Sequence, residues 1–228
     1  MAVRSRHGVP HAWALGGLVW LAPAAGALAA PAVPHEHVEF AVNVEKAKGH
    51  LLVSRDVYAA RQPARARLHG AHPVQEIGAR LFGPAARISA ELGERLRQAL
   101  KRPGQDLDAG VPSARYALTV TRVFAAMDDA VARVVPAPVR SEPAFHITVI
   151  RELLSEIVEE YDEAWKDGTI VQVVEYQDAY GFLVRARALY RELARRPAGG
   201  AAASVERDFD ALARALPGVA PPRSPARP

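Results

Sequence analysis

Three histidines and a glutamate in the first half of the chain have the types and spacing of a cation site. The stretch "KGHLLVSRDVY" places His50 beside Gly49 in mid-helix, and "LHGAHPVQE" sets His69 and His72 around a turn with Glu76 one helical turn beyond His72. Imidazole and carboxylate together suit a borderline transition metal, so His50, His69, His72 and Glu76 can converge on one cation if the second segment folds back on the first. The other reading is that His72 caps the helix beginning at Pro73 while His50 and His69 hydrogen-bond within the corner. Gly49 costs its helix roughly 1 kcal/mol against alanine, which points to close approach of another backbone.

A second constellation is "DEAWKDGTIVQVVEYQDAYGF" at 162–182. Glu175 and Asp178 share one helical face, and Asp162 can approach it from the preceding helix. Clustered carboxylates bind hard cations through anionic oxygens. They also favour the N-terminal end of a helix dipole, with Lys166 partly neutralising them. The other histidines are weaker candidates. His35 and His37 form an H-E-H that is either a flexible metal capture site or a solvated helix start, and His146 reads as a partly buried capping residue. A Gly-rich phosphate loop, a G-x-S-x-G elbow, an H-E-x-x-H motif and an assignable Ser, His and Asp set are all missing from the sequence. Hydrolytic chemistry has little to stand on, and the expectation is a protein that is not an enzyme.

The elements that must position these residues are helical almost throughout, with no convincing period of two. Helices are expected at 35–61, in two short pieces over 62–82 with Pro63 and Pro73 in their first turns, and at 83–104, 113–135, 142–168, 170–195 and 204–216. Ile88, Leu92, Leu96 and Leu100 form one inward row. Ile147, Ile150, Leu154, Ile157, Tyr161 and Trp165 form another, with Gly168 as the helix stop. In the first helix Glu36, Glu39, Glu45, Lys46 and Lys48 fall mostly off the apolar stripe. Breaker-rich turns between helices argue for an all-α, antiparallel up-and-down helical bundle, one domain over 30–216, followed by a disordered tail at 217–228.

The first residues read differently. Arg4 and Arg6 precede an apolar core and Ala27-Leu28-Ala29 offers a small-x-small cleavage site, so 1–29 has the form of a secretory signal peptide. The competing reading is an uncleaved membrane anchor, for which the apolar run falls short of the roughly 20 residues a span needs. No second apolar run of spanning length follows. The leader carries two of the 29 basic residues and none of the 25 acidic ones, so cleavage lowers the net charge from +4 to +2. That near balance argues against a nucleic-acid partner. With no cysteine in the chain, disulfides, thiolate zinc sites, iron–sulfur clusters and cysteine nucleophiles are excluded, and stability must come from the core.

The pattern Y-x-x-A-x-K-D-G-x-I-V-x-x-x-E-Y-Q-D-A-Y-G-F at 161–182 resembles the exported helical segment found beside or fused to bacterial high-affinity iron permeases. So does the run over 48–76 with Lys48-Gly49-His50-Leu51, Tyr58, His69, His72-Pro73 and Glu76. The permease's own transmembrane portion, with its Arg-Glu-x-x-Glu motifs, is not present, and "RELLSE" at 151–156 lies on an amphipathic helix. The resemblance implies functional positions at Glu175, Tyr176 and Asp178 with His50, His72 and Glu76. It also implies a periplasmic accessory to uptake of iron (or copper or zinc) that works with an inner-membrane metal permease. The expectation is therefore a periplasmic protein that binds or hands over a cation. His50, His69, His72 and Glu76 would form one ligand set, and Glu175 and Asp178 a second or a completion of the first, with Tyr176 and Tyr180 orienting the carboxylates or packing. The alternative is a helical scaffold without metal that docks on a membrane transporter or other envelope partner through the 162–182 corner. That reading requires Trp165, Tyr176 or Tyr180 to be exposed in an apolar patch.

Overall fold

The structure is a computed structural model and describes residues 33–196 and 203–223. The expected signal peptide lies outside the described residues. The first helix, α1 (His35–Ala59), carries apolar residues on all its faces: Val38, Phe40, Val42, Val44, Ala47, Leu51, Leu52, Val53 and Val57 are all buried. A helix apolar all round has to be covered all round, and α1 is. It packs against α2 (Pro63–Gln75), α3 (Gly78–Ile88), α5 (Ser113–Val134), α7 (Pro143–Ala164) and α8 (Val173–Ala194). Helix α4 (Ala90–Asp108) closes the side formed by α2, α3 and α5, α6 (Ala137–Ser141) leads into α7, and α9 (Ala203–Ala215) rests on α8. The chain is thus the all-α bundle expected, with nine helices and one tiny hairpin among the described residues. None of those helices is long and apolar enough to cross a membrane.

Because α1 is enclosed, two charges expected on its polar side are buried instead. Lys48 reaches Glu45 at 2.8 Å and Asp128 at 2.6 Å, while Arg185 meets the other oxygen of Glu45 at 2.7 Å. Buried charges are tolerated when paired in this way.

Several expected breaks move. Gly70 and Pro73 do not divide 62–82; α2 runs through both to Gln75. Pro84 lies inside α3 and Pro103 inside α4. Proline removes one helical hydrogen bond, but burial of Leu81, Phe82 and Ala85 around the first, and of Leu100 and Leu107 around the second, holds both helices together. The interruption falls at Ser89, whose extended backbone ends α3 and whose hydroxyl caps α4 by accepting from the Leu92 amide at 3.0 Å. Ile88 therefore leaves the inward row and is exposed.

Helix α7 stops at Ala164 rather than at Gly168. Strands β1 (Trp165–Lys166) and β2 (Thr169–Ile170) pair antiparallel. Asp167 (φ 50°) and Gly168 (φ 82°) between them are both left-handed, as the tight two-residue hairpin turn requires. The buried row of α7 is Phe145, Val149, Ile150, Leu153, Ile157, Tyr161 and Ala164, which leaves Ile147 exposed and Trp165 half-buried. Of the stretch expected as a tail, 217–223 is described. It carries no helix or strand, and Val219 sits partly buried against the core.

Helices α1 and α8 cross at two glycines. A Cβ on Gly181 would stand 2.7 Å from the Gly49 carbonyl oxygen, and one on Gly49 would stand 2.6 Å from Phe182 Cδ1. The close approach that Gly49 pointed to is therefore made. Gly181→Ala should lower stability by about 1–3 kcal/mol through overpacking against backbone. Gly104→Ala, on α4 with nothing within 4 Å, should raise it by up to about 1 kcal/mol. Urea denaturation of both variants checks this; a gain for Gly181→Ala would mean that the crossing is loose.

Candidate metal centre

The glycine crossing brings α8 onto the face of α1 that carries His50. One residue from Gly49, His50 points its Nδ1 at Asp178 Oδ1 of α8, 2.7 Å away. Helix α2 folds back on α1 and adds two more imidazoles. His69 Nδ1 is 2.9 Å from the same Oδ1, and His72 Nδ1 faces Oδ2 at 3.3 Å. One ligand atom from each of His50, His69, His72 and Asp178 lies within 4.8 Å of all the others. Three of these residues are buried, with His69 and Asp178 at 0% and 2% exposed, and His72 is nearly so.

Glu76, at the end of α2, stands over the open side of the cluster. Its carboxylate lies 3.6 Å from His72 Nε2 and 3.9 Å from His50 Nε2. On the other side of Asp178, Glu175 of α8 and Glu160 of α7 each bring an oxygen within 4.8 Å of one another and of Asp178. Gln177 braces the arrangement: its Oε1 is 2.9 Å from His69 Nε2, and its amide donates to the Val219 carbonyl at 2.8 Å.

The electrostatics follow from burial beside like and unlike charges. Burial alone would raise the Asp178 carboxyl, yet the His50 charge and the donors on His50, His69 and His72 hold it well below the usual carboxylate range. Burial would likewise lower the His72 imidazole, but Asp178, Glu76 and Glu175 together raise it. Glu160 has no such donors. Burial, then Asp178 and Glu175, push its carboxyl up to about 8, and Glu175 is raised by burial, then by Asp178 and Glu163.

All six residues singled out as ligands, His50, His69, His72, Glu76, Glu175 and Asp178, thus lie in one continuous cluster around Asp178. Asp162 does not join it; it is exposed and belongs to neither group of ligand atoms. Glu160 takes the place foreseen for it. The signal for Glu160 was its position three residues after Ile157 and four before Ala164, on the edge of the buried row. Gln177 carried no comparable signal. His146 is half-buried at the start of α7, where its Nε2 donates to the Arg140 carbonyl at 2.8 Å and burial lowers its basicity. Tyr176 is fully buried beside Tyr161, and Trp165 and Tyr180 are half-buried against the core. The aromatic exposure on which docking through the 162–182 corner depends is therefore lost at Tyr176 and reduced at the other two.

Fold and site together define an all-helical bundle whose middle holds a buried cluster of imidazoles and carboxylates. Residues 136–228 match the family described as the iron permease-associated 4-helix bundle domain. This supports the association with iron permeases for the segment that contains the 161–182 pattern. The matched segment supplies Glu160, Glu175, Gln177 and Asp178, whereas His50, His69, His72 and Glu76 all precede it. No curated protein and no solved structure matches the chain.

Glu160 also yields a pH dependence. In the unfolded chain its carboxyl loses a proton near the ordinary 4.5, but in the fold it retains one to about 8. Its contribution is thus fully present below 4.5 and declines as pH rises toward 8. Glu160→Gln should remove this slope and melt above the parent by a few degrees at pH 8, with little difference at pH 4.5, when both are compared with chelator present. Parallel melting curves across that range would contradict the burial-driven shift.

Proposed function

We propose that this protein is a periplasmic accessory of iron uptake, which takes a transition-metal cation into the cluster centred on Asp178 and passes it to a membrane metal permease. The observation that carries the reading is the convergence of His50, His69 and His72, from two helices, on a buried carboxylate from a third, with Glu76 at the open side. Three imidazoles packed around one acid, with further carboxylates on both sides, is an expensive arrangement for a purely structural core. A borderline divalent cation uses such donors well, ferrous iron first, with zinc and copper as competitors. The match of 136–228 to an iron permease-associated domain supports iron as cargo and a permease as partner. Export follows from the form of the first 29 residues. Binding and transfer require no reaction, so the protein acts without catalysis.

Calorimetric titration of the mature chain with ferrous (anaerobic), ferric, cupric and zinc ions tests this. At least one ion should bind and raise the melting temperature, by about 2.7 kcal/mol of added stability at a hundredfold excess over Kd. His72→Ala should weaken that binding by at least tenfold, and Glu175→Ala should also weaken it. Neither heat nor a melting shift with any of the four ions would refute the proposal.

A further inference from the structure

We propose that a cavity lined by α1, α5, α7 and α8 is a second binding site, one that takes a small organic carboxylate with its anionic head on Arg140 and Arg196. The cavity has a volume of about 400 Å³, within the range of small-molecule sites. It shares no residue with the cluster around Asp178, so the proposal is independent of metal binding.

The charges that line the cavity are unevenly paired. Lys48 of α1 is held by Glu45 at 2.8 Å and by Asp128 of α5 at 2.6 Å, and Arg185 of α8 meets Glu45 at 2.7 Å. Those two cations are neutralised where they stand. Arg140 of α6 and Arg196, just beyond α8, are not. Nε and Nη2 of Arg140 donate to the Val135 and Ala132 carbonyls at 3.0 and 3.4 Å, and Nη1 of Arg196 donates to the Arg140 carbonyl at 3.4 Å. Neither arginine has a carboxylate partner among the described residues; Glu192, which also lines the cavity, pairs with neither. Nη1 of Arg140 and Nε and Nη2 of Arg196 thus keep donors to give. Both side chains are half-buried, where a charge-assisted hydrogen bond is stronger than in open water.

The planar fork of a guanidinium matches carboxylate and phosphate alike, and the remaining wall decides between them. Phe124 and Val131 of α5, Phe145 and Val149 of α7 and Leu189 of α8 give the cavity an apolar side. Inorganic phosphate would leave that side bare. An organic carboxylate covers it with its carbon skeleton while the arginines hold its head, the usual division of a small-molecule site into an apolar lining and a few orienting polar groups. The competing role for the two arginines is a clasp on the backbone carbonyls that join α5, α6 and α7. That role needs no ligand.

The test titrates the full mature chain, metal-free and at low ionic strength, with succinate, benzoate and hexanoate, and with inorganic phosphate for comparison. At least one carboxylate should bind with a millimolar or lower Kd. In NMR spectra it should shift the guanidinium Nε–Hε signals of Arg140 and Arg196 and the methyl signals of Val149 and Leu189. Arg196→Gln should weaken that binding at least tenfold, and so should Arg140→Gln, with melting curves recorded to show that each variant is folded. No binding of any of the three carboxylates at millimolar concentration would leave only the clasp and overturn the proposal. So would phosphate binding as tightly as the best carboxylate, parent-chain shifts confined to the histidines around Asp178, or unaltered affinity in folded Arg196→Gln. Because no metal is present, each of these results stands apart from the titration with metal ions.

Discussion

An ionised carboxylate can sit in the middle of a helical bundle only if close donors offset the water it has lost. Asp178 obtains its donors from His50 on α1 and from His69 and His72 on α2. Each of these helices is therefore seated by the same polar contact, and none can shift without exposing a charge to an apolar interior. The Gly49–Gly181 crossing makes the contact reachable, since two side-chain-free positions let α1 and α8 approach closely one residue from His50. Polar specificity and close packing are here the same feature, and α1, enclosed on all sides, bears both.

Much of this was legible in the sequence. Helical periodicity was enough for the fold class, and Gly49 announced a close crossing because a glycine in mid-helix has few other uses. The spacing of His69, His72 and Glu76 grouped three donors at one corner, although the corner was read as a turn where α2 runs on unbroken through both histidines. Less legible were the interruptions. Proline and glycine mark breaks only where burial does not outweigh the lost hydrogen bond, so Pro73, Pro84 and Pro103 pass through helices while Ser89, an ordinary residue, stops one. Asp167-Gly168 was read as the end of a helix although the pair is also a hairpin turn; the choice depended on Trp165 and Ile170 pairing, which no local pattern decides. Glu45 and Lys48 were assigned to water because charge usually is, and only the surrounding helices make them internal.

The centre is also divided along the chain. The carboxylates and Gln177 come from the segment that matches the iron permease-associated bundle domain, and the imidazoles from the part before it. Acidic oxygens alone favour hard, strongly hydrated ions, while imidazole nitrogen shifts preference toward borderline transition metals. Under the function proposed above, the N-terminal helices would therefore set which ions the site prefers.

One consequence concerns timing. His50 and Asp178 are 128 residues apart in sequence, and His69 and Asp178 are 109 apart. Contacts of such long range form after the local ones, because the chain must close a large loop before they repay it. A nascent or still extended chain therefore carries every donor atom but no chamber. Under the function proposed above, the cation site is complete only once α8 has docked, so metal would be loaded only where folding is completed.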